Sequence, residues 1–328
     1  MDYHSLVPRA FDLAPYRFGL PQCSGAMTVV PIFGVDHPDT FAPPLSGLKL
    51  SQVRGYGNME LANAAGAGVA IVPLHMGYIQ DQAQNHALCR SGFIGPGQKR
   101  MFDDACCVQA AQGGYLEGRE QWFFILPVQL RAQALELRGE KSYSKLWDAI
   151  GALNTAFGLP GRGHLEQIVS RSRAVLTQYQ SRFELLAGQI GALFFVEDRL
   201  AGVEIAPSAA YFQELWMPLV CFCYGAAALQ VEQRPGQDPR PPAEPFPAHT
   251  LPELRAQLAA SRQERLAQIE TWLTTTPAEA WEGHEEERLL SLRLHTILGR
   301  NYAGQFVEDG KGLVYASLFA RPEYLTRN

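Results

Sequence analysis

Two segments of the chain carry the same short pattern: GALFFVEDRLAGVEI at 191–205 and AGQFVEDGKGLVYASLF at 303–319. In each, an apolar run rich in Phe and Val reaches an acidic step and returns as a second apolar run, which is the signature of a β-hairpin. Asp309-Gly310 is a strong turn signal, and Glu197-Asp198 and Glu308-Asp309 fall where the chain reverses, so these acids read as turn chemistry and not as a split catalytic pair. A chain ending on a strand as apolar as LVYASLF must pair that strand inside a sheet. The expectation is that both hairpins share one sheet or occupy equivalent positions, with Val196 and Val307 facing the same way.

The rest of the chain falls into two textures. MTVVPIF (27–33), GVAIVPL (68–74), HALCRSGFI (86–94), ACCVQA (105–110) and WFFILPVQL (122–130) are short apolar bursts bounded by turn formers, and read as strands. Pro31, Pro73 and Pro127 inside or beside them suggest edges. After Ser142 the spacing changes to three and four: Leu146, Ile150, Leu153 and Phe157 mark one helix, and a second is expected from Leu165 to about Tyr179. Ser208 caps a third, with a kink or break at Pro218. Leu251, Leu254, Leu258, Leu266, Ile269, Trp272 and Leu273 mark a long amphipathic fourth.

The fold class is therefore α+β. A mainly β N-terminal half, sandwich or half-barrel in form, precedes a C-terminal half of helices packed on a sheet with the two hairpins. The expected boundaries are an extended tail (1–26), a β-rich part (27–140), an α+β part (141–231 and 250–328) and a Pro-rich insertion or linker (232–249). That insertion holds EQRPGQDPRPPAEPFPAH, which has almost no aliphatic side chain to bury.

At 328 residues and 47% hydrophobic, the chain can bury a large core, and its net charge of -5 gives no basic footprint for nucleic acid or an anionic membrane. No apolar run is read as reaching transmembrane length, and the first residues lack a signal-peptide core, so the expected location is cytoplasmic. The six cysteines are then reduced thiols. No zinc knuckle, phosphate loop or nucleophile elbow is present, and no metal or cofactor is expected.

The strongest local candidate is IGPGQKR at 94–100. Gly95, Pro96 and Gly97 force a tight turn whose amides suit an anion, and Gln98, Lys99 and Arg100 add donors and charge. The competing reading is a solvated basic turn. Near it lie His86, Asp103, Asp104 and Cys106, weak candidates for acid, base or nucleophile. Adjacent Cys106 and Cys107 on a strand point to opposite faces, so at most one joins His86 or Cys89. Glu285-Glu286-Glu287 reads as a solvated face.

MTVVPIF, the GPGQKR loop, KLWDAIGALN, the long run from Gly188 to Leu229 and the closing AGQFVEDGKGLVYASLF, in that order, resemble a bacterial family named for its association with ADP-ribosylglycohydrolase and rhodanese-phosphatase proteins. The resemblance runs from Met27 to Phe319 and is strongest at 188–229. It implies a connection with ADP-ribose or NAD metabolism. Members carry a Gly-small-Lys-Gln-x-Arg loop, which Gly95, Gln98 and Arg100 match while Gly97 stands at the lysine. They follow it with a Pro-Val-Ser-Cys-Val-Glu strand, of which Pro127 and Val128 match. There Gln129-Leu130-Arg131 replaces the Ser, Cys and acid, so any thiol–carboxylate pair of the family is lost here.

Two readings of function follow. The first is a non-catalytic binding or regulatory protein that takes an ADP-ribose- or NAD-like anion at Gly95 to Arg100, or docks a protein partner. The second is an enzyme acting on an ADP-ribose or NAD derivative through His86, Asp103, Asp104 or Cys106. A third, a subunit of a homo-oligomer using exposed edge strands, stands beside them.

Overall fold

Both FVED hairpins lie side by side in one antiparallel sheet of nine strands. The computed structural model describes residues 13–37, 40–53, 56–79, 85–110, 122–234, 247–275 and 281–326. Its first strands are β1 (Arg17–Phe18), β2 (Gln22–Ser24) and β3 (Met27–Phe33). Small antiparallel sheets follow, built from β4 (Leu48–Val53), β5 (Met59–Asn63), β6 (Ala70–Val72), β7 (Met76–Ile79), β8 (His86–Ala87), β9 (Gly92–Ile94), β10 (Lys99–Phe102), β11 (Cys106–Cys107) and β12 (Trp122–Ile125). The first hairpin is β13 (Gly191–Val196) with β14 (Arg199–Ile205). Near the end come β15 (Glu282–Leu289), β16 (Leu292–Leu298) and the second hairpin, β17 (Tyr302–Glu308) with β18 (Leu313–Ala320).

The large sheet runs β1-β3-β13-β14-β18-β17-β16-β15, with β2 beside β1 on the outer side of β3. The hairpins join through β14 and β18, Glu204 opposite Ser317. Their turns differ in detail. In the first, Glu197 takes a left-handed φ of 56° and both acids form the turn; in the second, Asp309 accepts the amides of Lys311 and Gly312, and Gly310 supplies φ 85°. Val196 and Val307 face the same, larger core, while Leu193, Val203, Phe306 and Leu318 face a smaller one on the back. Both faces are covered, which is why these strands read as apolar throughout.

Several sequence expectations need correction. The segment expected as a tail, 1–26, is in its described part built into the sheet as β1 and β2. Pro31 does not mark a bare edge: it sits opposite the break between β1 and β2, where a missing amide is harmless. The burst WFFILPVQL divides, because Pro127 ends the strand and opens helix α1 (Val128–Glu136). HALCRSGFI divides into β8 and β9. Most of the Pro-rich stretch, 235–246, lies outside the described residues.

The expected helices form as α2 (Trp147–Ala156), α3 (Glu166–Leu176) and α4 (Gln178–Arg182). Ser208 then caps α5 (Ala209–Met217), its hydroxyl accepting the Tyr211 amide at 3.1 Å. Pro218 cannot donate an amide, and the chain passes it as a π-helical segment, Pro218–Cys223, before α6 (Tyr224–Glu232). The run Ala209–Glu232 is long and apolar enough by composition to cross a membrane, a length that inspection of the sequence missed. It is 83% buried within its most apolar window, so it is the core helix of this fold. Helix α7 (Leu251–Thr275) seats Ile269 against the back of the sheet.

Candidate functional site

A row of polar residues crosses the large sheet on its main-core face. Pairing puts Glu204 of β14 opposite Ser317 of β18, Ser317 opposite Gln305 of β17, Gln305 opposite Thr296 of β16, and Thr296 opposite His284 of β15. Directly opposed residues share a face, so five strands contribute one polar side chain each to a single line. Glu204, Ser317, Gln305 and Thr296 are buried; His284, on the edge strand, is half exposed.

The buried end is organised by Arg131 of α1. Its Nη1 meets Glu204 Oε1 at 2.6 Å, its Nη2 donates to Ser317 Oγ, and its Nε donates to His75 Nδ1 at 3.1 Å. The guanidinium also lies 4.3 Å from the centre of the Phe319 ring. Tyr224 donates its hydroxyl to the same Glu204 oxygen at 2.7 Å. Arg131 is wholly buried, and a charge there is tolerable only because every side of it meets an acid, an acceptor or a ring face.

These contacts fix protonation states. Burial alone would lower the pKa of Arg131, but Glu204, Cys223 and Tyr224 together outweigh it, and the guanidinium stays charged. Because Arg131 can only donate, His75 Nδ1 must be an unprotonated acceptor. Burial, followed by the Arg131 charge, pushes the His75 pKa well below the ordinary value, so the ring is neutral. Burial also pushes Tyr224 up, with Glu204 adding to it, and Cys223 up to about 12. His75 adopts a left-handed φ of 63°, a conformation that favours glycine. Its imidazole is what Arg131 requires at that turn, and this contact accounts for a side chain in a strained place.

The other end of the row reaches the rim. Gln305 donates to Thr296 at 2.7 Å and accepts the Ser91 amide at 2.7 Å. Thr296 donates to Glu286 at 2.6 Å, and Glu286 also binds Arg138 and His284. Glu285-Glu286-Glu287 is thus not a solvated face: Glu285 pairs with Arg288, Glu286 with Arg138, and Glu287 with Arg100.

The candidates named from sequence do not converge. Cys107 lies opposite His86 and Cys106 opposite Ala87, so His86 and Cys106 emerge on opposite faces of the β8–β11 pair. His86 Nε2 accepts the Gly57 amide at 3.3 Å, and Cys106 lies against Cys89. Asp104 is buried and holds Arg90 at 3.0 Å and the Gly139 amide at 2.9 Å. Asp103 is exposed and pairs with Lys141, whose hydrogen bond holds its carboxyl below the usual range.

The basic turn is likewise partly engaged. Gly97 takes the left-handed φ of 67°, its amide bonds the Asn63 carbonyl, and the Gln98 amide bonds the Gly95 carbonyl. Arg100 donates to the Phe93 carbonyl at 3.1 Å, pairs with Glu287 and lies 4.9 Å from the Phe102 ring centre. Gly95 is buried, whereas Gln98 and Lys99 remain at the surface, Lys99 reaching toward Glu60 at 3.7 Å.

An open cleft of about 680 Å³ lies elsewhere, where β2, α4 and α5 meet. Gln22, Gln180, Arg182, Glu184, Gln213 and Trp216 line it. Gln22 braces it by bonding both the carbonyl and the amide of Glu184, at 2.8 and 2.6 Å, as a strand neighbour would. Arg182 is exposed and lies over the Tyr179 ring at 5.2 Å. None of the catalytic candidates, and no member of the polar row, lines this cleft.

The row was legible only as isolated oddities, Arg131 in an apolar helix and Glu204 in an apolar strand. No curated protein and no solved structure matches the chain. A family model does, over residues 15–319, almost the full length. The chain belongs to the family described as the ARG and Rhodanese-Phosphatase-superfamily-associated Protein domain.

Proposed function

We propose that this protein is a non-catalytic binding or regulatory protein that takes a small polar ligand of the ADP-ribose or NAD type in the cleft between β2, α4 and α5. The observation that carries the reading is a contrast in availability. His86, Asp104, Cys106 and Arg131 are each held by a partner inside the fold and Asp103 is paired with Lys141 at the surface, whereas Gln180, Arg182 and Gln213 are exposed around an open cleft. Neutral amides with one guanidinium beside aromatic rings suit a ligand with hydroxyls, a base and phosphate. The family name, with its association to ARG proteins, agrees in chemistry with such a ligand.

The test is a thermal-shift panel with NAD, ADP-ribose and inorganic phosphate, since a ligand that binds only the native state raises Tm. The expected result is a rise with ADP-ribose or NAD that Arg182→Ala abolishes, with the ligand recovered unchanged. A rise that survives Arg182→Ala and is lost in Lys99→Ala would move the site to the Gly95–Arg100 turn. Turnover of the ligand would replace the reading with an enzyme, and a flat panel would remove the ligand altogether in favour of a protein partner.

A further inference from the structure

Cys89 and Cys106 sit on two segments that already run antiparallel. Cys106 of β11 pairs with Ala87 of β8, and Cys89, in the bend just beyond β8, brings its sulfur against that of Cys106. The segments are clamped around the thiols: Asn85 donates to Gln109 at 2.5 Å on one side, and Arg90 pairs with Asp104 at 3.0 Å on the other. Both cysteines are buried, and their sulfurs are 2.7 Å apart. A disulfide bond is about 2.0 Å long, so a small approach within an existing pairing would close it.

We propose that Cys89 and Cys106 form a reversible dithiol–disulfide site, oxidised by a small hydroperoxide. The Cys106 thiol is pushed well up, first by its contact with Cys89 and then by burial, so it keeps its proton and serves as the resolving thiol. In the first step Cys89 Sγ attacks one peroxide oxygen; an S–O bond forms, the O–O bond breaks, and the thiol proton leaves with the departing oxygen as water. In the second, Cys106 Sγ attacks Cys89 Sγ, the S–S bond forms, the S–O bond breaks, and the Cys106 proton leaves on the oxygen as a second water. Two thiols become one disulfide as one hydrogen peroxide becomes two waters. A low-molecular-weight thiol reverses the change. The bridge would lock 85–90 to 104–109, the pairing that carries the turn toward Arg100.

The remaining cysteines provide internal controls. Cys107 faces the other side and donates to the Gln109 carbonyl at 3.1 Å, Cys23 is exposed, and burial pushes Cys221 up to about 11. The experiment treats the full chain with hydrogen peroxide, alkylates it in denaturant and maps linked peptides by mass spectrometry. The expected result is a Cys89–Cys106 link that dithiothreitol reverses, that Cys107→Ser retains and that Cys106→Ser abolishes. The oxidised wild-type protein should also melt several degrees higher than the reduced one. Full alkylation of both residues while Cys23 is oxidised, or a Cys89–Cys107 link in its place, overturns the proposal. The wild-type measurement decides this even where a variant does not fold.

Discussion

Arg131 and Arg138 leave one helical segment two turns apart and both reach acids on the same sheet, yet they live in different solvents. Arg131 is wholly buried and touches Glu204, Ser317, His75 and the face of Phe319. Arg138, just past the end of α1, keeps 16% of its side chain exposed and binds Glu286, His284 and the Leu135 carbonyl. Water can replace part of what Arg138 loses, but nothing replaces what Arg131 loses. The same polar row is therefore expected to be intolerant at one end and forgiving at the other.

The largest expected effect is at the buried end. Glu204→Leu leaves the Arg131 charge without its acid, and such a break costs about 3–5 kcal/mol, read from urea unfolding. Gly202→Ala attacks the same end sterically, because its Cβ would overlap the Tyr224 hydroxyl and lie 2.9 Å from the Leu318 carbonyl oxygen. Displacing Tyr224 from Glu204 should cost about 1–3 kcal/mol, by the same measurement. A Gly202→Ala protein as stable as wild type would mean that Tyr224 does not anchor the carboxylate.

Acid should separate the ends by pH window. Burial lowers the pKa of His75, with Arg131 adding to it, and burial also lowers that of His295, against the pull of Glu308. The His75 ring is neutral when folded and binds a proton below about pH 6.5 when unfolded, so stability falls as pH drops through that region by up to about 1.4 kcal/mol per unit, and His295 adds to the fall in the same direction. His75→Gln should remove its share of that slope, followed by chemical unfolding between pH 7 and 5. Glu286 behaves differently. Burial would raise its pKa, but Thr296 and Arg138 together hold it below 4.5, so its contribution is present above that value and disappears as pH falls through its folded one.

At the rim, Arg138→Ala should cost only about 1 kcal/mol and should matter less in high salt. The smallest effect is expected for Lys99→Ala, whose side chain is 62% exposed: stability should move by less than about 0.5 kcal/mol in a melting comparison. That near-neutrality makes Lys99→Ala a clean probe of ligand binding at the turn.

Much of the scaffold was readable because local rules decide it. Apolar runs meeting at acidic turns gave both hairpins, Asp309-Gly310 gave a turn, Ser208 gave a helix cap, and the three-four spacing gave α2 and α3. The hairpin β15–β16 was missed, since EGHEEERL is too charged to read as a strand until its acids find Arg138, Arg100 and Arg288. The polar row was missed for a related reason. Glu204, Ser317, Gln305, Thr296 and His284 lie on five separate strands, and only the register of the sheet puts them in line. Tyr315 shows the same limit: its hydroxyl accepts the Leu74 amide at 2.9 Å, a contact between residues far apart in the chain.

The central claim is that the buried polar row is a closed structural network and not a reactive centre. A double-mutant cycle on Arg131 and Glu204, with Arg131→Met, Glu204→Leu and the pair measured by urea unfolding, tests it most directly. Each single variant should lose several kcal/mol, about 3–5 for Glu204→Leu, and the double variant should lose less than Glu204→Leu alone, because it leaves no unpaired charge. Two single losses below about 1 kcal/mol, adding without coupling, would contradict it.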